Sequence, residues 1–212
     1  MIQMVDLSHP LHSNMPVFPG SRSVTVTRTA RIENHGFSEA HLSMPSHAGT
    51  HMDAPAHMIS GGLTLDRFPP DRFVGRACVL SLSVSAGDRI ETDILMPYQP
   101  RIESAEIILI HTGWSRFWET DRYFSEYPVL SAAAASWLAN FSPKAIGMDT
   151  ASVDPVDSTD YTNHHTFFQK NILLIENLCM LERLPDTGFT LICLPLLIPE
   201  SDGSPARAVA MW

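Results

Sequence analysis

An α/β fold built on a large mixed sheet, with α+β as the neighbouring class, is predicted by three features of the chain. Several segments alternate apolar and polar residues, several others are short continuous apolar runs, and one segment carries a complete set of helix signals. Strands outnumber helices.

In chain order, SVTVTRTARI (23–32) sets Val24 and Val26 against Thr25 and Thr27, as a half-buried strand does, and SEAHLSMP (38–45) alternates in the same way. RACVLSLSV (76–84) is a third strand. AEIILIHT (105–112), AIGMD (145–149), NILLIENL (171–178) and FTLICLPLLI (189–198) are apolar runs of the length and continuity of fully buried strands. ARAVAM (206–211) closes a sheet. SAAAASWLANF (131–141) is the clearest helix: Ser131 caps it, the alanines favour it, and Pro143 follows its end. Further helices are expected over SRFWETDRYF (115–124) and TNHHTFFQK (162–170). No repeat or long linker divides the chain, so residues 1–212 are read as one domain.

Composition narrows the function. Charged residues are only 17% of the chain and hydrophobic residues 44%, a globular balance. The formal net charge of −9, with 14 Lys+Arg and no basic run, argues against nucleic acid and against an anionic membrane surface as partners. A small-molecule substrate is the expected partner. Cys78, Cys179 and Cys193 are odd in number and sit in apolar surroundings, which reads as free thiols of a cytoplasmic protein. The N-terminal MIQMVDLSHPLHS lacks the cationic start and apolar core of a signal peptide.

The chemistry is concentrated in HAGTHMDAPAH, residues 47–57. His47, His51, Asp53 and His57 all occupy odd positions, so extended chain points them the same way. A straight strand would spread them over roughly 33 Å at about 3.3 Å per residue. Ligands must converge to about 2.0–2.2 Å from one ion. The chain must therefore bend, and Gly49 and Pro55 suit the bends. Thr50 is a candidate for fixing the orientation of a ring. Two imidazoles and a carboxylate form an N/N/O set that suits Zn²⁺ or Mn²⁺ and leaves coordination positions open for water or substrate. His57, just beyond, suits a general acid/base, because imidazole titrates near neutral pH. A hydrogen-bonded polar loop is the alternative reading of the same residues.

A second set is weaker. His164 and His165 are adjacent, and Glu176 interrupts an apolar run, where a carboxylate is costly unless paired or metal-bound; a solvent-exposed Glu at the strand end is the equal alternative. Asp149, Asp154 and Asp157 cluster in MDTASVDPVDS, and for Asp154 and Asp157 turn chemistry is the preferred reading. No G-x-S-x-G, G-x-G-x-x-G or G-x-x-x-x-G-K motif occurs, which disfavours a serine hydrolase of the elbow type and nucleotide binding. Trp114, Trp118 and Phe18 are candidate pocket walls, with core packing equally open for each tryptophan.

HAGTHMDAPAH resembles the H-x-G-T-H-x-D-x-P-x-H signature of the metal-dependent cyclase family, to which bacterial kynurenine formamidases belong. The likeness extends from DLSHPLHSNMPVFPG through HTGWSRFW, GMDTASVDP, NHH and LLIENL to DGSPARAV. It implies a compact single α/β domain with a barrel-like mixed β-sheet flanked by helices, a swivelling β/β/α arrangement, assembled as a homodimer or homotetramer. It further implies that His47, His51 and Asp53 hold one metal ion. Glu176 would join them, and Asp53 and Glu176 would bridge to a second ion held by His164 rather than His165. His57 would be the acid/base, and Phe18 a substrate-binding residue where the formamidases tend to have Trp. Ser21 stands where Asp is common, and HTGWSRFW is closer to other branches of the family. The implied reaction is hydrolysis of N-formylkynurenine to formate and kynurenine by metal-activated water. Ring opening of isatin-like cyclic amides or lactones is the alternative, and a non-catalytic, metal-dependent ligand-binding protein is the alternative from another class.

Overall fold

The computed structural model describes residues 2–212. Twelve strands run in chain order: β1 (Met4–Asp6), β2 (Thr25–Ala30), β3 (Glu39–Ser43), β4 (His51–Asp53), β5 (Val74–Ser81), β6 (Arg89–Ile90), β7 (Ile107–His111), β8 (Val129–Leu130), β9 (Ala145–Met148), β10 (Leu173–Glu176), β11 (Phe189–Pro195) and β12 (Gly203–Met211). Five short α-helices accompany them: α1 (Ile32–His35), α2 (Thr92–Leu95), α3 (Gln99–Glu103), α4 (Ala132–Ala139) and α5 (Thr162–Phe168).

Eight strands form one sheet in the order β1-β12-β11-β5-β7-β9-β10-β4, and β4 pairs back onto β12. Seven strands thus close into a barrel, with β1 added along the far end of β12. The sheet is mixed: β5, β7, β9 and β10 are parallel neighbours, and the remaining pairs are antiparallel. Parallel neighbours require crossovers. Here the crossovers carry α2 and α3, then α4, then α5.

The alternation of side chains along each strand sorts the apolar residues into two cores. Ala77, Val79, Ile107, Leu109, Leu173 and Ile175 fill one, together with Met52 and residues of β11 and β12. Their neighbours Cys78, Leu80, Ile108, Ile110, Ile146 and Leu174 point the other way, onto Leu95, Leu138, Phe167 and Phe168 of the helices. Burial on both sides explains why these strands read as unbroken apolar runs.

The strands expected at 76–84, 105–112, 145–149, 171–178 and 206–211 fall on β5, β7, β9, β10 and β12. The expected helix at 131–141 is α4, capped by the Ser131 side chain accepting from the Ala134 N–H, and that at 162–170 is α5. Three expectations need correction. The strand expected over 189–198 stops at Pro195, and Leu196, Leu197 and Ile198 lie exposed beyond it. The segments 23–32 and 38–45 do form strands, but β2 and β3 pair only with each other, so their residues are exposed almost throughout rather than half-buried. Residues 115–124 are two separate 3₁₀ turns, Trp114–Phe117 and Asp121–Phe124, not one helix. Trp114 and Tyr123 are both buried, and nine positions at about 100° each would put them on opposite sides of a straight helix. The chain instead breaks at an extended Trp118, and the Trp114 indole donates to the Tyr123 carbonyl at 2.9 Å.

Cys78 and Cys193 are buried, Cys179 is half-buried, and all three are free. Burial pushes the Cys78 and Cys193 thiols up to about 12, so neither is a nucleophile at neutral pH. Among the described residues no helix is long and apolar enough to cross a membrane.

Gly147 on β9 marks how tightly the barrel is filled. A Cβ there would lie 2.6 Å from Leu109 Cδ2 and 2.8 Å from Leu178 Cδ1. Gly147→Val is expected to lower stability by about 1–3 kcal/mol through overpacking, read as a lower urea midpoint with an unchanged slope.

Candidate metal centre

The site grows out of one strand pairing. On β4, His51 and Asp53 flank Met52; opposite them on β10, Glu176 pairs with His51, Ile175 with Met52 and Leu174 with Asp53. Met52 and Ile175 enter the first core, so His51, Asp53 and Glu176 face the other side together. All three are buried. α5 crosses this face and delivers His164, also buried. His47 arrives from the loop before β4, where Gly49 adopts φ 63°, a left-handed turn that glycine allows without strain. Pro55 opens a 3₁₀ turn that carries His57. Both expected bends are therefore present.

The polar atoms converge. His47 Nδ1 lies 2.6 Å from Asp53 Oδ1, and His51 Nε2 lies 3.1 Å from the same oxygen and 3.5 Å from Glu176 Oε2. His164 Nε2 is 4.0 Å from Asp53 Oδ2 and 3.5 Å from Glu176 Oε1. Three ligand-type triads occur among the described residues: His47–His51–Asp53 and Asp53–His164–Glu176 have Asp53 in common, and His47–His57–Asp202 lies beside them. His165 is half-buried and belongs to none of them.

The ring orientations are set from outside. His51 Nδ1 stands 2.8 Å from the Gly49 carbonyl, which can only accept; Nδ1 therefore carries the proton and Nε2 faces the cluster. Asn177 braces that carbonyl from its side-chain amide at 2.9 Å. Thr50, expected to orient a ring, does not touch one; its hydroxyl donates to the Asn177 carbonyl and accepts from the His9 N–H. Asp154 is the larger correction. It is not a turn residue but a buried carboxylate that accepts from the Asn163 and His164 N–H groups at 3.0 Å each and from His164 Nδ1 at 2.6 Å. It fixes both the start of α5 and the ring that α5 carries. Asp157 lies exposed in a turn, as expected. Asp149 is buried and clamps Thr112 and the Trp114 N–H.

Asp202, at the start of β12, is the functional candidate that the sequence did not reveal. Its Oδ2 lies 2.9 Å from His47 Nε2 and 3.4 Å from His57 Nδ1. An Asp-Gly pair before a strand has the same local signature as an ordinary turn, and 155 positions separate it from His47.

Burial works against charge on His47, but Asp53 and Asp202 outweigh it and hold the imidazole up at about 10. Burial likewise opposes charge on His164, and Asp154, Glu176 and Asp53 hold it up at about 9. Asp53 is held well below the usual carboxylate range by His51 and His47 despite its burial. His57 differs: burial pushes it below its ordinary value, so it is neutral at pH 7. Glu176 Oε1 is buried and no hydrogen bond reaches it. A buried carboxylate oxygen left so is costly without a cation, and the imidazole and carboxylate donors around it suit a divalent metal. The residues present fit such an ion.

The cluster forms the floor of a cavity of about 410 Å³, with walls that include Phe18, Trp118, Phe124 and Tyr161. His57 lines the same cavity, and Ser21 lies at its edge. Trp114 is buried in an aromatic core away from it. A metal-ligand floor under an apolar-walled cavity of small-molecule size defines a metal-dependent hydrolase type of site.

Residues 5–155 match the family described as "Putative cyclase". A kynurenine formamidase of Bacillus cytotoxicus is 31% identical over 208 residues, covering 98% of this chain and 96% of that protein. Isatin hydrolase A from Labrenzia aggregata, bound to benzyl benzoate, superposes with a TM-score of 0.89 at 26% identity over 99% of this chain and 93% of that one. A structure described as a potential metal-dependent hydrolase with cyclase activity superposes at 0.82, with 26% identity over 100% and 98%. The chain belongs to the cyclase family and is a metal-dependent hydrolase.

Two outcomes follow from the geometry. Asp154→Asn is expected to weaken metal binding by about 10- to 100-fold, measured by competition with a chromogenic chelator, because His164 loses its orienting carboxylate. In the metal-free protein His47 and His164 are held above the ordinary imidazole value, at about 10 and about 9, so both are protonated at pH 7. A metal ligand must be neutral, so binding expels protons. Apparent affinity should rise between pH 7 and 9, by up to about tenfold per pH unit for each proton released, and titrations in buffers of different ionisation enthalpy should register that release.

Proposed function

We propose that this protein hydrolyses the formamide C–N bond of N-formylkynurenine, giving formate and kynurenine, with Zn²⁺ held by His47, His51, Asp53, His164 and Glu176. Mn²⁺ suits the same donors. The observation that carries the reading is the pair of triads sharing Asp53 beneath an aromatic-walled cavity, with a buried Glu176 oxygen among them that accepts no hydrogen bond. The naming of the curated relatives as kynurenine formamidases supports the substrate.

The metal, when bound, supplies positive charge that acidifies a water and polarises the substrate carbonyl. His57 supplies the proton traffic. Its ring is neutral, lines the cavity, and lies with its centroid 3.9 Å from that of His47 and 6.1 Å from that of His164. It accepts the proton of the attacking water as the C–O bond forms. It then returns that proton to the leaving nitrogen as the C–N bond breaks, which an arylamine requires because it leaves poorly as an anion. Phe18 and Trp118 contribute apolar surface for the aromatic ring.

A second reading is ring opening of isatin-like cyclic amides, favoured by the isatin hydrolase likeness at 26% identity. The same water attack and the same return of the proton by His57 would serve there, with the nitrogen retained in the product.

The test is an assay of metal-reconstituted protein against N-formylkynurenine and isatin. Formate release from the first, abolished by chelation, is the expected result; turnover of neither would overturn the proposal. His57→Ala should keep its metal and lose about 10²- to 10⁴-fold in kcat. A wild-type rate in that variant would remove His57 from the chemistry.

A further inference from the structure

Asp202 belongs to neither of the triads that share Asp53, yet the backbone aims it at two imidazoles. The Ala54 N–H donates to the Asp202 carbonyl at 2.9 Å, and Gly203 pairs with Asp53 across β12 and β4. A Cβ on Gly203 would stand 2.4 Å from His47 Cε1, so glycine is what lets β12 begin directly against that ring. The result is a carboxylate at the edge of a stacked pair: the His47 and His57 rings are 3.9 Å apart with a 32° tilt. One oxygen, Oδ2, is hydrogen-bonded to His47 Nε2 at 2.9 Å and lies 3.4 Å from His57 Nδ1.

We propose that Asp202 is a positioning residue for His57, taking the Nδ1–H of that ring so that the Nε2 lone pair is left for the substrate water, while the same oxygen takes the His47 Nε2–H and leaves His47 Nδ1 for the metal. This rests on the acid/base reading of His57 given above. A neutral imidazole carries one N–H, and the acceptor it finds decides which nitrogen is basic. Asp202 is the carboxylate within reach of His57 Nδ1. It also supplies a negative charge beside His57 when that ring holds the proton between the two halves of the reaction, next to a metal-bearing neighbour that would repel it. His47, His57 and Asp202 also form a triad whose atoms could themselves enclose an ion, so the test must separate a ligand from a positioning carboxylate.

The experiment uses the zinc-loaded protein as wild type, Asp202→Asn, Asp202→Glu, His57→Ala and the double variant His57→Ala/Asp202→Asn. It reads bound metal per chain, KM, kcat and the His57 tautomer by ¹⁵N NMR. The wild type should show His57 as the Nδ1–H form. Asp202→Asn should bind zinc more weakly, because His47 loses its orienting carboxylate, yet carry a full complement at saturating zinc; loaded in this way it should hold KM within about twofold but lose about 10- to 100-fold in kcat, with the Nδ1–H signal depleted. Asp202→Glu should recover part of the rate. In the His57→Ala background at saturating zinc, Asp202→Asn should cost nothing further in kcat, because the acid/base ring it orients is gone. Failure of Asp202→Asn to load metal even at saturating zinc, an unchanged kcat, an added loss of kcat in the double variant, or an Nε2–H tautomer in the wild type would each overturn the proposal. Turnover of neither substrate, or full activity of His57→Ala, would instead overturn the proposed function, and the tautomer measurement would still decide the place of Asp202.

Discussion

The antiparallel pairing of β4 with β10 is the constraint on which the site depends. It spans three residues on each strand, yet its register decides where three of the candidate ligands go. With Glu176 opposite His51 and Leu174 opposite Asp53, the polar side chains share one face while Met52 and Ile175 fill the barrel. A slip of one residue would exchange the faces, driving carboxylates into an apolar core and leaving Met52 among the imidazoles. Such a slip is prevented by the closure of the barrel, because β4 is held on its other edge by β12 through Gly203, Ser204 and Pro205. The same pairing that satisfies the β4 backbone therefore also brings Asp202 to the site.

Buried carboxylates must be matched by positive charge or hydrogen bonds, and this fold supplies the match in layers. Asp53 and Glu176 lie innermost, with imidazoles around them. Behind the imidazoles stand acceptors: the Gly49 carbonyl for His51, Asp154 for His164 and Asp202 for His47. In the metal-free protein, protons on His47 and His164 serve as the cations. A divalent ion held by these residues would take the place of those protons. The outer acceptors keep their N–H donors in either case, so each ring stays oriented when the charge changes hands. His57 stands outside this scheme: burial keeps it neutral and able to take up a proton.

The parts of the fold and site that could be read from the sequence are those whose signals are local. Parity placed His51 and Asp53 on one face because they lie on one strand, and Gly49 and Pro55 announced the bends that return His47 and His57 to it. Continuous apolar runs marked strands covered on both sides, and the Ser131 cap marked α4. What escaped is non-local. Asp154 and Asp202 have the surroundings of turn residues, and their contacts become visible only once α5 and β12 are folded against β4 and β10. In 115–124 the composition suited a helix, but Tyr123 and the adjoining Trp114 had to be buried at once and the helical period could not bury both. In β2 and β3 the alternation was real, yet pairing gave the ribbon no covering layer.

The ligand-type residues and the aromatic walls of the cavity are carried by different kinds of structure here. The ligand-type residues sit on strands, on α5 and on the turns that adjoin β4, all tied to the barrel. The aromatic walls do not. Phe18 comes from the irregular chain between β1 and β2, and Trp118 and Phe124 from the 3₁₀ segment after β7. These two segments brace each other: His9 stacks on Trp118 with centroids 4.0 Å apart and a 12° tilt, and His12 reaches Glu119 at 2.7 Å. Burial pulls His9 down to about 4, so the ring behind Trp118 is uncharged and acts as a flat packing surface. Phe18 meets Phe124 edge-on at 5.9 Å to complete the wall. Loops can change without disturbing a barrel, because their side chains carry none of its strand pairings. The aromatic wall is thus held by the contact between residues 9–18 and 114–124, and the ligand-type residues by the barrel, so either part can shift without moving the other.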